Sequence, residues 1–189
     1  MIAVRKARPA DAIAIGAVHV AVWRSAYPGI LPDRYLARLS VSRQAAHYDA
    51  AIRSGQGVLV ATASGEDTPQ GVGTRIIGFV TAGSSRAREI SGRSVADGEI
   101  ETLYVLDDWR DRGVGRMLMH AAAEHLIENA CRSAFLWVLR DNPSRWFYQR
   151  LGGRQTLDAM IRVAGKDLIQ TAYLWDPIEQ LLTATKQAS

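Results

Sequence analysis

The chain has 189 residues, 48% of them hydrophobic and 22% charged, the composition of one soluble globular domain able to bury its own core. A net charge of +4 with a pI near 9.5 suits an acidic small-molecule partner and is too dilute for a nucleic-acid surface. The single cysteine, Cys131, excludes an intrachain disulfide and points to a reducing cytoplasm; the N-terminus lacks a signal-peptide core, and the longest apolar run, Ala12 to Val18, is far short of the roughly 20 residues of a membrane span.

Ile2 to Ala7 alternates apolar and charged residues and reads as a first strand. Pro9 opens a helix with Asp11 in its first turn. Ile13, Gly16, Ala17, Val20 and Ala21 form its apolar face, and it runs to about Tyr27 before Pro28-Gly29 stops it. Pro32-Asp33 starts a second helical region that extends to about Arg53 with a break near Ser40 to Ser42. Val58 to Ala63 and Arg75 to Ala82 are strands of a hairpin, joined by the polar loop Ser64 to Gly73. Gly83 to Gly98 is polar and irregular and carries the basic cluster Arg86 to Arg93.

Glu99 to Leu106 reads as a strand and Val114 to about Cys131 as a helix. Ala134 to Leu139 is an unbroken apolar run, the mark of a central strand buried on both faces. Asn142-Pro143 begins another helix, which Gly152-Gly153 ends after Leu151. Thr156 to Val163 and Leu168 to Trp175 are strands around Ala164-Gly165-Lys166, and a short helix follows Asp176-Pro177. Hairpins mixed with strand–helix–strand crossovers give an α/β or α+β sheet of about seven strands. Residues 1–176 form one domain, and 177–189 a C-terminal tail that frays at its end.

Between the fourth strand and its helix lies Arg110-Asp111-Arg112-Gly113-Val114-Gly115-Arg116. Glycines at a helix mouth let backbone approach a ligand, and the unpaired first N–H groups can hold phosphate oxygens. Glycines also open helices for steric reasons alone. A dinucleotide fingerprint is excluded because Leu118 stands where a third glycine belongs, and no Gly-Lys-Ser/Thr of a P-loop occurs. Arg110, Arg112 and Arg116 suit phosphate by their bidentate fork, and the alternative is pairing with Asp107, Asp108 and Asp111. Glu99 and Glu101, two residues apart, share a face with Leu103 and Val105 if the pleat is regular. Either is a candidate base or an ordinary solvated strand residue.

Arg110-x-x-Gly113-x-Gly115, followed by Asn142 and then Phe147-Tyr148-x-x-Leu151-Gly152, resembles the GNAT family of acetyl-CoA-dependent N-acetyltransferases, in register with the strands from about residue 2 to 175. The resemblance implies a mixed, mostly antiparallel sheet flanked by helices, the acyl-CoA N-acyltransferase-like fold. It implies acetyl-CoA as cosubstrate without a metal. Backbone amides from Arg112 to Arg116 would hold the pyrophosphate. Leu103, Tyr104 and Val105 would splay from the neighbouring strand, bind the pantetheine arm and polarise the thioester. Asn142 would contact that arm or the loop beside it, Tyr148 would protonate the departing thiolate, and Glu99 or Glu101 would remove the amine proton.

Gly153 departs from the family, which usually has a bulky apolar residue there; Arg145, often alanine in relatives, is a second departure. The segment Trp23-Arg24-x-x-Tyr27-Pro28-Gly29-Ile30-Leu31-Pro32 resembles a stretch of many bacterial members that borders the acceptor cleft, where Trp23 and Tyr27 would wall a cationic amine. Core packing is the competing reading of that pair. His120 and His125 fit neither one helical face nor a metal motif, and His19 and His47 have no flanking ligands. The implied acceptor is a small-molecule or peptide amine, without nucleic acid or membrane partners, and a homodimer through the C-terminal strands is compatible with the family. A CoA-binding module without catalysis is the alternative, and transfer to a hydroxyl or of a longer acyl chain a further one.

Overall fold

In the computed structural model, which describes residues 1–65, 73–85 and 95–186, a single sheet of seven strands divides two helical layers. The strands are β1 (Ile2–Lys6), β2 (Gly57–Ser64), β3 (Thr74–Ser84), β4 (Gly98–Val105), β5 (Ala134–Leu139), β6 (Arg154–Val163) and β7 (Lys166–Trp175). They lie in the order β1-β2-β3-β4-β5-β7-β6, all neighbours antiparallel except β4 and β5. The helices are α1 (Ala12–Ala26), α2 (Asp33–Ala37), α3 (Val41–Arg53), α4 (Val114–Glu128), α5 (Arg145–Arg150) and α6 (Glu179–Thr185). The sequence-based strands differ from these by at most two residues at either end. The Arg86 to Arg93 cluster and most of the Ser64 to Gly73 loop lie outside the described residues.

One face of the sheet carries α4 and α6. Leu118, Met119, Ala122 and Leu126 of α4 pack with Ile77, Val80, Ile100, Ala134 and Leu136, and Ile178 and Leu181 bring the C-terminal segment into the same core. The other face carries α1 and α3, where Ile15, Val18, Val22 and Tyr48 cover Val58, Val60 and Phe79. Ser40 begins α3 by accepting the N–H of Arg43, which explains the break in the second helical region.

The buried stripe of α1 is a correction to the sequence reading. Ile15, Val18, His19 and Val22 face inward; of the expected face Gly16 and Val20 are buried, whereas Ile13 is 72% exposed and Ala17 and Ala21 are exposed as well. The helix is apolar nearly all round, so periodicity offered two stripes and α3 selected one. Gly16 stays on the buried side because α3 crosses there. A Cβ at Gly16 would stand 2.7 Å from the Val41 carbonyl oxygen and 2.8 Å from the Ala45 nitrogen.

Two features of β4 shape everything that follows. Its pairing with β5 covers only Gly98 with Ala134 and Glu99 with Phe135, after which the strands part. Its pairing with β3 shifts by one between Thr102 and Ile100, so Glu101 is the extra residue of a β-bulge.

Candidate active site

The parting of β4 and β5 creates a cleft whose β4 bank can be read from the ladder on its other side. Leu106 donates its N–H to Ile77 O at 2.9 Å, which makes Leu106 and Tyr104 the hydrogen-bonded positions against β3. The N–H and C=O groups of Leu103 and Val105 therefore point away from β3, toward the gap. Beyond Glu99 no β5 partner meets them. These are peptide groups waiting for an extended ligand, since an unpaired strand edge is a template for one.

At the end of β4 the chain makes a 3-10 turn at Asp107–Trp109 and enters α4 through Gly113, which has φ +78°. That left-handed conformation suits glycine. The first internal bond of α4 runs from Met117 N–H to Gly113 O at 3.0 Å, so the N–H groups of Val114, Gly115 and Arg116 precede the helical ladder. The three arginines divide. Arg110 pairs with Asp107 at 2.8 Å, the guanidinium of Arg112 lies over the Trp109 ring at 5.0 Å, and Arg116 is exposed. Gly115 has a packing reason that spacing could not reveal. A Cβ there would sit 3.2 Å from Phe147, so the glycine lets α5 lie against the mouth of α4.

From α5, Tyr148 reaches into the core beside Leu151 and Tyr173 and is 8% exposed. Burial raises its phenol above the ordinary tyrosine value, with the nearby Tyr27 phenol adding to the shift. Tyr148 is thus kept in its protonated, phenol form. Asn142 is buried and already engaged. Its Oδ1 accepts the Ser144 N–H at 2.9 Å, and its Nδ2 donates to the Tyr27 hydroxyl at 3.4 Å. The amide ties the start of α5 to the end of α1 across the cleft. The departure at Gly153 finds its reason in β7. A Cβ there would be 2.7 Å from Trp175, which is fully buried, so tryptophan fills the volume that a bulky residue would need.

Glu99 and Glu101 do not share a face with Leu103 and Val105. Gly98 and Ile100 turn toward Leu126 and the α4 core, and so do Leu103 and Val105, while Glu99 lies between two of the former on the opposite face. The bulge at Glu101 shifts the alternation by one, so Glu101 joins Thr102 and Tyr104 on the α1 and α3 face. Its negative charge there helps to raise the Tyr48 phenol, second to burial. Both carboxylates thus stand on the side of the sheet that carries Trp23 and Tyr27.

Trp23 and Tyr27 meet edge to face at 5.0 Å and pack with Leu31, Leu36 and Leu168. Lys166 at the β6–β7 turn donates to Ile30 O at 2.8 Å, and Arg24 caps α2 through the carbonyls of Leu36, Ala37 and Leu39. The α1–α2 connection is thereby fastened over the hairpin, forming the far wall of the cleft. The buried indole N–H of Trp23 approaches the Tyr104 phenol without meeting normal hydrogen-bond geometry. His19, set aside in the sequence for want of neighbours, stacks on Trp23 at 5.0 Å, touches Tyr104 edge-on at 5.1 Å, and hydrogen-bonds Tyr48 at 2.8 Å. Tyr48 comes from another helix, so spacing within α1 could not have found the pair. Among the described residues no group of three His, Cys, Asp or Glu could hold a metal ion, and no helix is long and apolar enough to cross a membrane.

The profile of the acetyltransferase (GNAT) family matches residues 21–153. An uncharacterized N-acetyltransferase of Bacillus subtilis, YuaI, is 31% identical over 183 residues, covering 97% of this chain and 98% of that protein. An uncharacterized N-acetyltransferase of Archaeoglobus fulgidus is 35% identical over 51% of this chain and 58% of its own length. Among solved structures, YncA of Salmonella typhimurium with acetyl-CoA superposes with TM-score 0.65 at 20% identity, covering 93% of both chains. The PaiA N-acetyltransferase of Thermoplasma acidophilum in complex with coenzyme A gives TM-score 0.60 at 19% identity over 90% of this chain and 98% of that one. At these identities the structures establish a shared fold.

Proposed function

The chain belongs to the GNAT family of acetyltransferases and is an N-acetyltransferase; from that premise we propose that it moves an acetyl group from acetyl-CoA to a primary amine by direct transfer within a ternary complex. The observation that carries this reading is the gap between β4 and β5, lined by the peptide groups of Leu103 and Val105 and ending at the glycine-bearing mouth of α4. A narrow channel of unpaired peptide groups leading to unpaired helix N–H groups fits an amide-rich arm that ends in a pyrophosphate.

Acetyl-CoA supplies the acyl group in activated form, as a thioester. Backbone amides of the loop Arg110 to Arg116, including Asp111, Arg112, Gly113, Val114 and Gly115, hold the pyrophosphate, with the arginine side chains beside them. Leu103, Tyr104 and Val105 align the arm, and an N–H from this edge polarises the acyl carbonyl. Glu101 or Glu99 takes a proton from the amine, directly or through water, so that its lone pair is free to attack. Tyr148 donates its phenolic proton to the departing sulfur. Asn142 holds the end of α1 against α5, keeping both walls of the cleft in register. Trp23 and Tyr27 face the acceptor, a small-molecule or peptide amine, and their rings suit a cation.

Two readings accompany this one. A cytoplasmic setting rests on Cys131 as a lone buried thiol. A homodimer is supported by β6, a sheet-edge strand that leaves Met160 exposed. Calorimetry with acetyl-CoA, joined to a CoA-release assay across an amine panel, tests the central proposal. Micromolar binding and amine-dependent release are expected. A protein that fails to bind acetyl-CoA would end the proposal, and binding without release to any amine would leave a CoA-binding module instead.

A further inference from the structure

His19 is the one imidazole in the acceptor wall, and its two nitrogens have different surroundings. Nδ1 lies 2.8 Å from the Tyr48 hydroxyl, and both residues are buried, at 8% and 2% exposure. Nε2 has no hydrogen-bond partner among the described residues, yet it is not among the enclosed polar atoms left unpaired, so it keeps an opening. The ring is clamped by Trp23 on its face and Tyr104 at its edge. Tyr104 sits between Leu103 and Val105, whose peptide groups line the cleft. An aromatic clamp on three sides with one polar edge left over describes a presented group.

The tautomer follows from Tyr48. Its phenol is kept protonated by burial and by the charge of Glu101, and His19 Nδ1 is its hydrogen-bond partner among the described residues. Tyr48 then donates to Nδ1, and the ring proton resides on Nε2. Burial also keeps His19 uncharged near neutral pH, with a pKa pushed down to about 4.

We propose that His19 is an acceptor-binding residue whose Nε2–H donates to an oxygen of the amine substrate, with Tyr48 as the positioning residue that fixes the tautomer. The preferred acceptor is therefore an amine bearing an oxygen close to its nitrogen, such as an amino alcohol or an α-amino amide. This rests on the reading of the α1 side as the acceptor side.

The test is a CoA-release panel built from pairs in which one methyl is exchanged for an oxygen, including ethanolamine against propylamine and 1-amino-2-propanol against isobutylamine. The fastest pair is carried into the variants. The oxygen-bearing member is expected to lead by about tenfold in kcat/KM, the scale of one hydrogen bond. His19→Asn, whose amide can imitate Nδ1 and keep Tyr48 satisfied, should erase that preference through KM of the acceptor, leaving acetyl-CoA affinity unchanged. His19→Gln, whose amide reaches the place of Nε2, should retain the preference, and Tyr48→Phe should weaken it. A preference that survives in His19→Asn, or a fastest acceptor without oxygen, overturns the assignment while leaving the transferase reading intact. Acetyl-CoA binding without turnover of any amine overturns the transferase reading itself.

Discussion

Gly16→Ala should destabilise this protein, against the ordinary expectation for a helix interior. Alanine is favoured over glycine in a helix by about 1 kcal/mol. Here the added methyl would stand 2.7 Å from Val41 O and 2.8 Å from Ala45 N, where ordinary contact begins at 3.4 Å. Both obstacles are backbone atoms of α3, so no rotamer change relieves the clash. Helices α1 and α3 must separate by several tenths of an ångström, loosening Ile15, Val18 and Val22 against Tyr48 and Ala51. Overpacking costs about 1–3 kcal/mol in general, and two unyielding backbone obstacles under 3.0 Å put this case at about 2–3 kcal/mol. The balance is a net loss of about 1–2 kcal/mol, a fall in Tm of roughly 2–8 °C for a chain this long. Differential scanning calorimetry reads the stability. Ala17→Gly on the exposed face of α1 is the control for propensity alone. Acetyl-CoA affinity should hold, because its proposed site belongs to β4 and α4, while KM for the amine rises as the wall carrying His19 and Trp23 shifts. A Tm equal to or above that of the unsubstituted protein would refute the close crossing of α1 and α3.

Tyr148→Phe should lower kcat by about 100-fold, the low end for a general acid, with acetyl-CoA affinity unchanged; stopped-assay kinetics with unaltered kcat would remove Tyr148 from the acid role. Arg112→Ala should weaken acetyl-CoA about tenfold while leaving acetyl-pantetheine, which lacks the pyrophosphate, unaffected in calorimetry. Equal losses for both ligands would place Arg112 in the support of Trp109 alone. His19, depressed from 6.5 to about 4, binds protons less readily in the folded state than in the unfolded one. Its contribution to stability is full above pH 6.5 and is lost as pH falls toward 4, about 3 kcal/mol in all. Urea unfolding at pH 6.5 and 4.5 should therefore show a smaller acid loss for His19→Asn, and parallel losses would mean that the ring is solvated.

The succession of elements and the strand boundaries were legible because each strand carries its own apolar run or alternation and several breaks carry a glycine or proline, as at Pro28-Gly29 and Gly152-Gly153. The glycine-bearing mouth of α4 was legible because Gly113 and Gly115 stand beside three arginines where the helical periodicity begins. What escaped the sequence depends on pairs distant in the chain. The face of α1 was chosen by Val41 and Ala45 of α3. The partner of His19 is Tyr48, on that same helix. The departure at Gly153 answers to Trp175, a strand away. None of these leaves a periodic trace, since each is a question of volume between elements.

The position of Glu101 was misread for a different reason, and it bears most directly on chemistry. A regular strand would set residues 99, 101, 103 and 105 on one face. Leu103 and Val105 are needed against α4, so a regular β4 would drive both carboxylates into the same apolar layer, where a charge is costly to bury. One extra residue at the bulge lets Gly98 and Ile100 pack on α4 upstream, and Leu103 and Val105 do so downstream. Glu99 and Glu101 are thereby both free to lie on the α1 and α3 side. The bulge is thus what allows one strand to support the core with one face, leave its peptide edge unpaired along the cleft, and carry carboxylates on the other face beside α1 and α3. A bulge adds a residue without altering the apolar run that announces the strand, which is why the run Leu103-Tyr104-Val105 was read correctly and the glutamates just before it were not.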